Sequence, residues 1–130
     1  MKHNEITEKI IKAFFTVYNT LGYGFLEKVY ENALYFELKE MGFNITRQHR
    51  VLVYYKNYIV GEYIPDLVVE DLIICELKAY DHLYPGCELQ LINYLKATSI
   101  EVGLLFNFGR KPEFKRRIFD NDKRTGAQTG

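Results

Sequence analysis

The sequence predicts a mixed α/β fold, a central mixed β-sheet flanked by helices, and three observations carry that prediction. Apolar residues recur at helical spacing through residues 4–21 and again to about Met41. From Phe43 onward the period shortens to that of strands, punctuated by turn residues. Within that stretch Leu72-Ile73-Ile74-Cys75-Glu76-Leu77 is almost continuously apolar, the pattern of a strand covered on both faces. The predicted order is two helices, a meander of four or five strands, a third helix and a closing strand, ααββββ(β)αβ.

The first helix is expected to begin at Asn4, whose side chain can cap it. Glu5 and Glu8 sit in its first turn, and Ile6, Ile10, Phe14, Val17 and Leu21 line its apolar side. Gly22-Tyr23-Gly24 ends it. The second helix turns Leu26, Val29, Tyr30, Ala33 and Leu34 inward and stops at Gly42, a residue suited to the backbone geometry of a helix C-terminus. Strands are predicted over residues 43–49, 51–55 and 58–63, the last two joined by a tight turn at Lys56-Asn57. Pro65 weakens pairing locally. Residues 67–69 and 72–77 then form a hairpin about Glu70-Asp71. Residues 80–86 read as a loop, 87–97 as the third helix and 102–106 as the last strand. Residues 1–120 read as one domain, and 121–130 as a mobile polar tail.

With 48% hydrophobic and 26% charged residues, the chain is expected to bury about two thirds of its surface, which excludes a disordered or collagen-like class. No apolar run is long enough to span a bilayer, and the polar start Met1-Lys2-His3-Asn4-Glu5 lacks the core of a signal peptide. A cytoplasmic protein without a membrane partner is therefore expected. Lys+Arg and Asp+Glu both number 17, a formal charge of zero that argues against coating nucleic acid by bulk electrostatics. One basic strip stands out: Arg110, Lys111, Lys115, Arg116 and Arg117, against the single acid Glu113. It reads either as a solvated face or as a grip on a nucleic-acid backbone. Cys75 and Cys87 form no C-x-x-C pair and are expected to be free thiols.

Charge inside the apolar strand is the feature that calls for chemistry. Alternation places Glu76 and Lys78 on one face, with Cys75 and Leu77 on the other. Buried charges of this kind must be compensated by each other, by water in a cleft or by a metal ion. Glu-x-Lys occurs three times, where composition alone gives about one, and only the copy at Glu76 lies in an apolar strand. Asp66 stands ten positions before Glu76 and folds back beside it if the hairpin turns at Glu70-Asp71. Alone, Asp66 reads as a turn residue following proline. Beside Glu76 it makes a carboxylate pair that repels unless a cation lies between, and hard oxygens suit Mg²⁺, with Mn²⁺ as a substitute. The Leu77 carbonyl is a further candidate ligand, and Lys78 a group to position or deprotonate a water.

Two more pairs share helical faces. Gln90 and Tyr94, four apart, either bond phosphate and order the lysine or simply face solvent. Glu27 and Tyr30, three apart, leave the start of the second helix on one side, where Glu27 also suits the positive helix end.

Taken in order, Asp66, Glu76-Leu77-Lys78 and Gln90-x-x-x-Tyr94 resemble the PD-(D/E)XK nuclease superfamily, in the branch of RecB-type and lambda-type exonucleases. Gly24-x-x-Glu27-x-x-Tyr30 is similar to the motif that names the small GxxExxY family, usually placed within it. The resemblance runs from about Asn4 to Phe119. It implies a restriction-endonuclease-like core and a metal site made by Asp66 and Glu76, with Lys78 as the catalytic lysine. Glu27, with Tyr30 beside it, becomes the helix-borne acid that completes or orients the metal shell, and Gln90 and Tyr94 the accessory pair. Many relatives carry a histidine three positions before the motif glutamine, where this chain has Cys87; the nearby His82 is not assigned that role. The function so implied is Mg²⁺-dependent hydrolysis of DNA. The alternative is an inactive nuclease-fold module that binds nucleic acid or a protein. A homodimer or a partner protein is expected to extend so small a surface.

Overall fold

Two antiparallel-sheet edges and one parallel crossover organise the chain in this computed structural model, which describes residues 3–120. The expected tail at 121–130 lies outside the described residues. Helix α1 (Asn4–Leu21) buries Ile10, Ala13, Phe14 and Val17 along one side. His3, rather than Asn4, occupies the position before its first turn; the Asn4 amide lies inside the helix and donates to Glu8 at 3.2 Å. Helix α2 (Glu27–Glu40) buries Tyr30, Leu34 and Leu38, and Gly42 follows it with φ 92°, as its sequence position predicts.

The strands are β1 (Ile45–Thr46), β2 (Val51–Tyr55), β3 (Tyr58–Tyr63), β4 (Leu67–Val69), β5 (Ile73–Lys78), β6 (Val102–Phe108) and β7 (Pro112–Ile118), with helix α3 (Leu89–Ala97) between β5 and β6. The main sheet runs β1-β4-β5-β6-β7, and β2 and β3 pair only with each other. Among the described residues only β5 and β6 pair in parallel, and α3 is the crossover that such a pairing requires. In the register, Glu76 lies opposite Leu105 and Lys78 opposite Asn107.

Strand β5 is central and covered on both sides, as its apolar run predicts. Ile73, Cys75 and Leu77 join Phe14, Tyr30, Phe106 and Phe108 under α1 and α2. Ile74 joins Leu91, Tyr94, Leu95 and Leu105 under α3. Phe14 stacks on Phe106 at 4.5 Å, and Tyr30 on Phe108 at 4.3 Å. Both cysteines are free and buried. Among the described residues, no helix is long and apolar enough to cross a membrane.

The mixed sheet and the three helices follow the expected order, but Leu26 and Val29, expected to turn inward, are exposed because α2 starts only at Glu27, and three elements differ. The strand expected over residues 43–49 contracts to two residues at the sheet edge, where Ile45 and Thr46 pair with Val69 and Val68. The third helix begins at Leu89 rather than Cys87, because residues 85–88 form turns first. The basic strip is itself largely a strand, β7, which the sequence pattern did not announce. An edge strand needs little apolar alternation, and charged side chains there discourage pairing with another chain.

Gly103 is where α3 meets the sheet most closely: a Cβ added there would lie 2.5 Å from Leu91 Cδ1. Gly103→Ala therefore overpacks this contact and is expected to destabilise the fold by about 1–3 kcal/mol, measured as a lowered urea midpoint with an unchanged slope.

Candidate active site

The site forms just before β4 begins and where β5 is about to end. The hairpin between them turns through Glu70 and Asp71, both at φ 55°, with the Leu72 N–H donating to the Val69 carbonyl at 2.9 Å. Its register pairs Leu67 with Cys75, so Asp66 falls level with Glu76, just past the last paired residues. Side chains take over there from backbone. The Asp66 N–H donates to Glu76 Oε1 at 2.9 Å, and the Leu77 N–H donates to Asp66 Oδ2 at 2.8 Å. Each acid thus accepts a hydrogen bond from the backbone opposite it. Asp66 Oδ1 and Glu76 Oε2 accept no hydrogen bond among the described residues.

Burial and mutual repulsion weigh on these acids. Glu76 is only 5% exposed; burial and then the Asp66 charge push its pKa up to about 9, against the help of the Asp66 N–H and Lys78. Burial also raises Asp66, opposed by the Leu77 N–H, while Glu31 adds repulsion and Lys78 and Lys28 offset it. Glu27, at the first position of α2, is raised by burial and by Asp66, with Lys78 acting the other way. Lys78 is half-buried, which disfavours its charge, but Tyr80, Glu27, Glu76 and Asp66 outweigh burial and hold its pKa above the ordinary value. Its ammonium lies 5.7 Å from the centre of the Tyr80 ring. Tyr94, 1% exposed on α3, is raised by burial and by the Glu76 and Asp66 charges, and its ring packs edge-on to Tyr63 at 5.2 Å.

Four residues expected at the site, Glu27, Asp66, Glu76 and Lys78, therefore feel one another's charge, and Tyr94 feels the two central acids. The other expected residues lie apart. Tyr30 is fully buried, its hydroxyl donating to the Gly22 carbonyl at 2.5 Å and accepting the Phe25 N–H at 3.1 Å, so it braces the connection that leads into Glu27. Gln90 is exposed in the first turn of α3. Of the basic strip, Lys115 and Arg117 each reach Glu88 at 3.3 Å, and Arg110 lies 3.7 Å from Asp81; Lys111 is exposed and Arg116 half-buried. Lys115 stands level with Glu76 across β6, two strands away, or about 10 Å.

Two groups near the site escaped the sequence reading. Glu31, 7% exposed, lies one turn after Glu27 and pairs with Lys28 at 3.0 Å and Arg47 at 2.6 Å. Its i+4 spacing from Glu27 was the available signal. Asn107, fully buried, is a polar interruption of the apolar β6, the same kind of anomaly that exposed Glu76. It brackets Tyr80, accepting its N–H at 2.9 Å and donating to its carbonyl at 3.0 Å.

A family model of the PD-(D/E)XK nuclease superfamily matches residues 4–117. The chain belongs to that superfamily. Comparison with curated proteins and with solved structures gives no match. The superfamily carries nuclease-type function and is typically dependent on a divalent metal, and the donor set here suits one. Among the described residues, no three His, Cys, Asp or Glu side chains converge closely enough to form a metal cage. Mg²⁺ needs no such cage, since it takes one or two carboxylates and keeps several waters. Asp66 and Glu76 each retain one oxygen outside the crossed hydrogen bonds. The Leu77 carbonyl, sharing the direction of its N–H, points to the same side. Residues and ion fit.

The raised acids give the metal-free protein a characteristic pH response. A carboxyl whose pKa is higher folded than unfolded favours folding fully below its ordinary value, and that contribution is lost as pH rises through the folded value. Stability in EDTA should fall between about pH 4.5 and pH 9 on account of Glu76. Thermal melting across this range should show that slope flattened in Glu76→Gln, which keeps the acceptor oxygen and cannot ionise.

Proposed function

We propose that the protein is a divalent-metal-dependent nuclease that hydrolyses phosphodiester bonds of DNA, with Mg²⁺ as its ion and Mn²⁺ as a substitute. The observation that carries this reading is the crossed pair of hydrogen bonds between Asp66 and Glu76, formed beside Lys78 within the matched superfamily region. Asp66 and Glu76, with the Leu77 carbonyl, would hold the ion, and Glu27 would orient its waters from the start of α2. When bound, the ion supplies Lewis-acid stabilisation of charge on the transferring phosphate and lowers the pKa of a water.

The chain's own groups do the rest. Lys78, its charge reinforced by three acids, orients the attacking water and offsets negative charge developing on the phosphate oxygens. Tyr94 is held in its neutral form by burial and the two acids, so its hydroxyl remains a proton donor over the same carboxylates. Gln90 extends the α3 side toward solvent as an accessory phosphate contact. Tyr30 positions the Glu27 connection. Arg110, Lys111, Lys115, Arg116 and Arg117 flank the site along β7 and its turn and would meet the DNA backbone. The Gly24-x-x-Glu27-x-x-Tyr30 signature supports placing the chain in the GxxExxY branch, near RecB-type nucleases, acting in the cytoplasm as a single domain over residues 1–120. A homodimer or partner protein would enlarge its DNA-binding surface.

One observation favours a second reading, an inactive module that binds nucleic acid or a protein. Three of the five strip cations are already engaged by Glu88 and Asp81, which leaves a modest electrostatic footprint.

Incubation with linear, circular and single-stranded DNA separates the two. Cleavage with Mg²⁺ or Mn²⁺ is expected, abolished by EDTA and reduced at least about 100-fold in Lys78→Ala; binding by the wild type without any cleavage would establish the module instead. Calorimetric titration of Mn²⁺ should lose its signal in Asp66→Asn, and an unchanged signal would remove Asp66 from the ion's ligands.

A further inference from the structure

The loop after Lys78 is built more rigidly than a connecting segment requires. Asn107 holds both backbone groups of Tyr80, and Glu113 Oε1 accepts both the Asn107 amide and the Leu83 N–H at 3.2 Å. Gly109 lets the loop sit directly on the β6–β7 turn: an added Cβ would meet the Tyr80 carbonyl oxygen at 2.3 Å. The Arg110 N–H also donates to the Asp81 carbonyl at 3.3 Å. This anchoring fixes two aromatic rings beside the candidate lysine. Tyr80 lies under the Lys78 ammonium, and Tyr84 follows at 5.6 Å, centre to centre, with 54% of its surface exposed.

Immediately before Glu27 stand Phe25 and Leu26, 48% and 80% exposed. The Tyr23 hydroxyl donates to Asp81 and so ties the two loops together at one end. The two loops so joined carry exposed aromatic and apolar side chains beside Lys78 and Glu27. Glu88 and Asp81 already hold three of the five strip cations, so the strip's grip on a DNA backbone leaves room for a second contact directed at the bases. Flat aromatic faces next to a cation suit a different contact, the stacking of an unpaired base. In an intact duplex those faces are covered by neighbouring bases.

We propose that Tyr80 and Tyr84 form a preorganised stacking platform that selects unpaired DNA for the Asp66–Glu76–Lys78 site. The proposal rests on the nuclease reading for its substrate and on this loop for its specificity. Tyr84 supplies the outer face, and Tyr80 links that face to Lys78, so a base seated on the platform brings its own phosphate toward the acids.

Fluorescence anisotropy with a labelled single strand and with the blunt duplex of the same sequence, in EDTA, tests the platform apart from cleavage. The full chain should bind the single strand more tightly than the duplex. Tyr84→Ala should weaken single-strand binding about ten-fold or more, in line with the loss of one stacked base, while Tyr84→Phe retains it. The exposed position of Tyr84 keeps both variants folded, which unchanged melting temperatures would verify. Equal affinity for single strand and duplex, or wild-type binding by Tyr84→Ala, overturns the proposal. Cleavage in Mg²⁺ separates the two readings. Tyr84-dependent binding with no cleavage of any DNA leaves the platform standing and removes the nuclease reading. Equal kcat/KM for wild type and Tyr84→Ala on single strands removes the platform and leaves the nuclease.

Discussion

Two crossed hydrogen bonds, from the Asp66 N–H to Glu76 and from the Leu77 N–H to Asp66, are the constraint around which the rest of the molecule is arranged. They extend the β4–β5 ladder by one step with side chains in place of backbone carbonyls. A buried donor left unmet costs about 1–3 kcal/mol, so the arrangement satisfies two peptide groups at the point where β4 runs out. It also leaves two carboxyl groups side by side at the end of a covered strand. Each keeps one oxygen outside the crossed hydrogen bonds, at the margin of the apolar core.

The helices serve this pair from opposite sides. Helix α2 brings Glu27 through a connection braced by the buried Tyr30 hydroxyl, and Glu31 extends the negative field while Arg47 and Lys28 contain it. Helix α3 brings Tyr94 down onto the opposite face, packed through Leu91 against Gly103. The site is thus electrostatically expensive in the metal-free protein. Glu76 escapes part of the cost by keeping its proton at neutral pH, and the tight apolar packing on both faces of β5 supplies the stability that tolerates such a site.

Much of this was legible in the residues. The greasy run at β5, interrupted by Glu76 and Lys78, announced both the central strand and the site, because burial of charge demands a reason. The ten-residue spacing to Asp66 was sufficient to bring it alongside once the hairpin turn was placed. What escaped notice had weaker signatures. Strand β7 hid behind its charges, since an edge strand is exposed along one side and need not alternate. Gln90 and Tyr94 share helical spacing, yet the short α3 exposes its first turn and buries its middle, so spacing alone could not separate their fates. Asn107 and Glu113 act through the backbone of a distant loop, a contact that only the β6–β7 register discloses.

The hairpin position of Asp66 and Glu76 also has a bearing on time. Closing a ten-residue segment is an inexpensive step for a chain in search of its fold, whereas pairing β5 with β6 must wait for the α3 crossover between them. The acidic pair therefore belongs to a local part of the topology, whereas the parallel β5–β6 pairing spans the longer α3 crossover. Repulsion between the two carboxylates opposes that early hairpin most strongly at high pH, so refolding speed, and not only final stability, is tied to their ionisation.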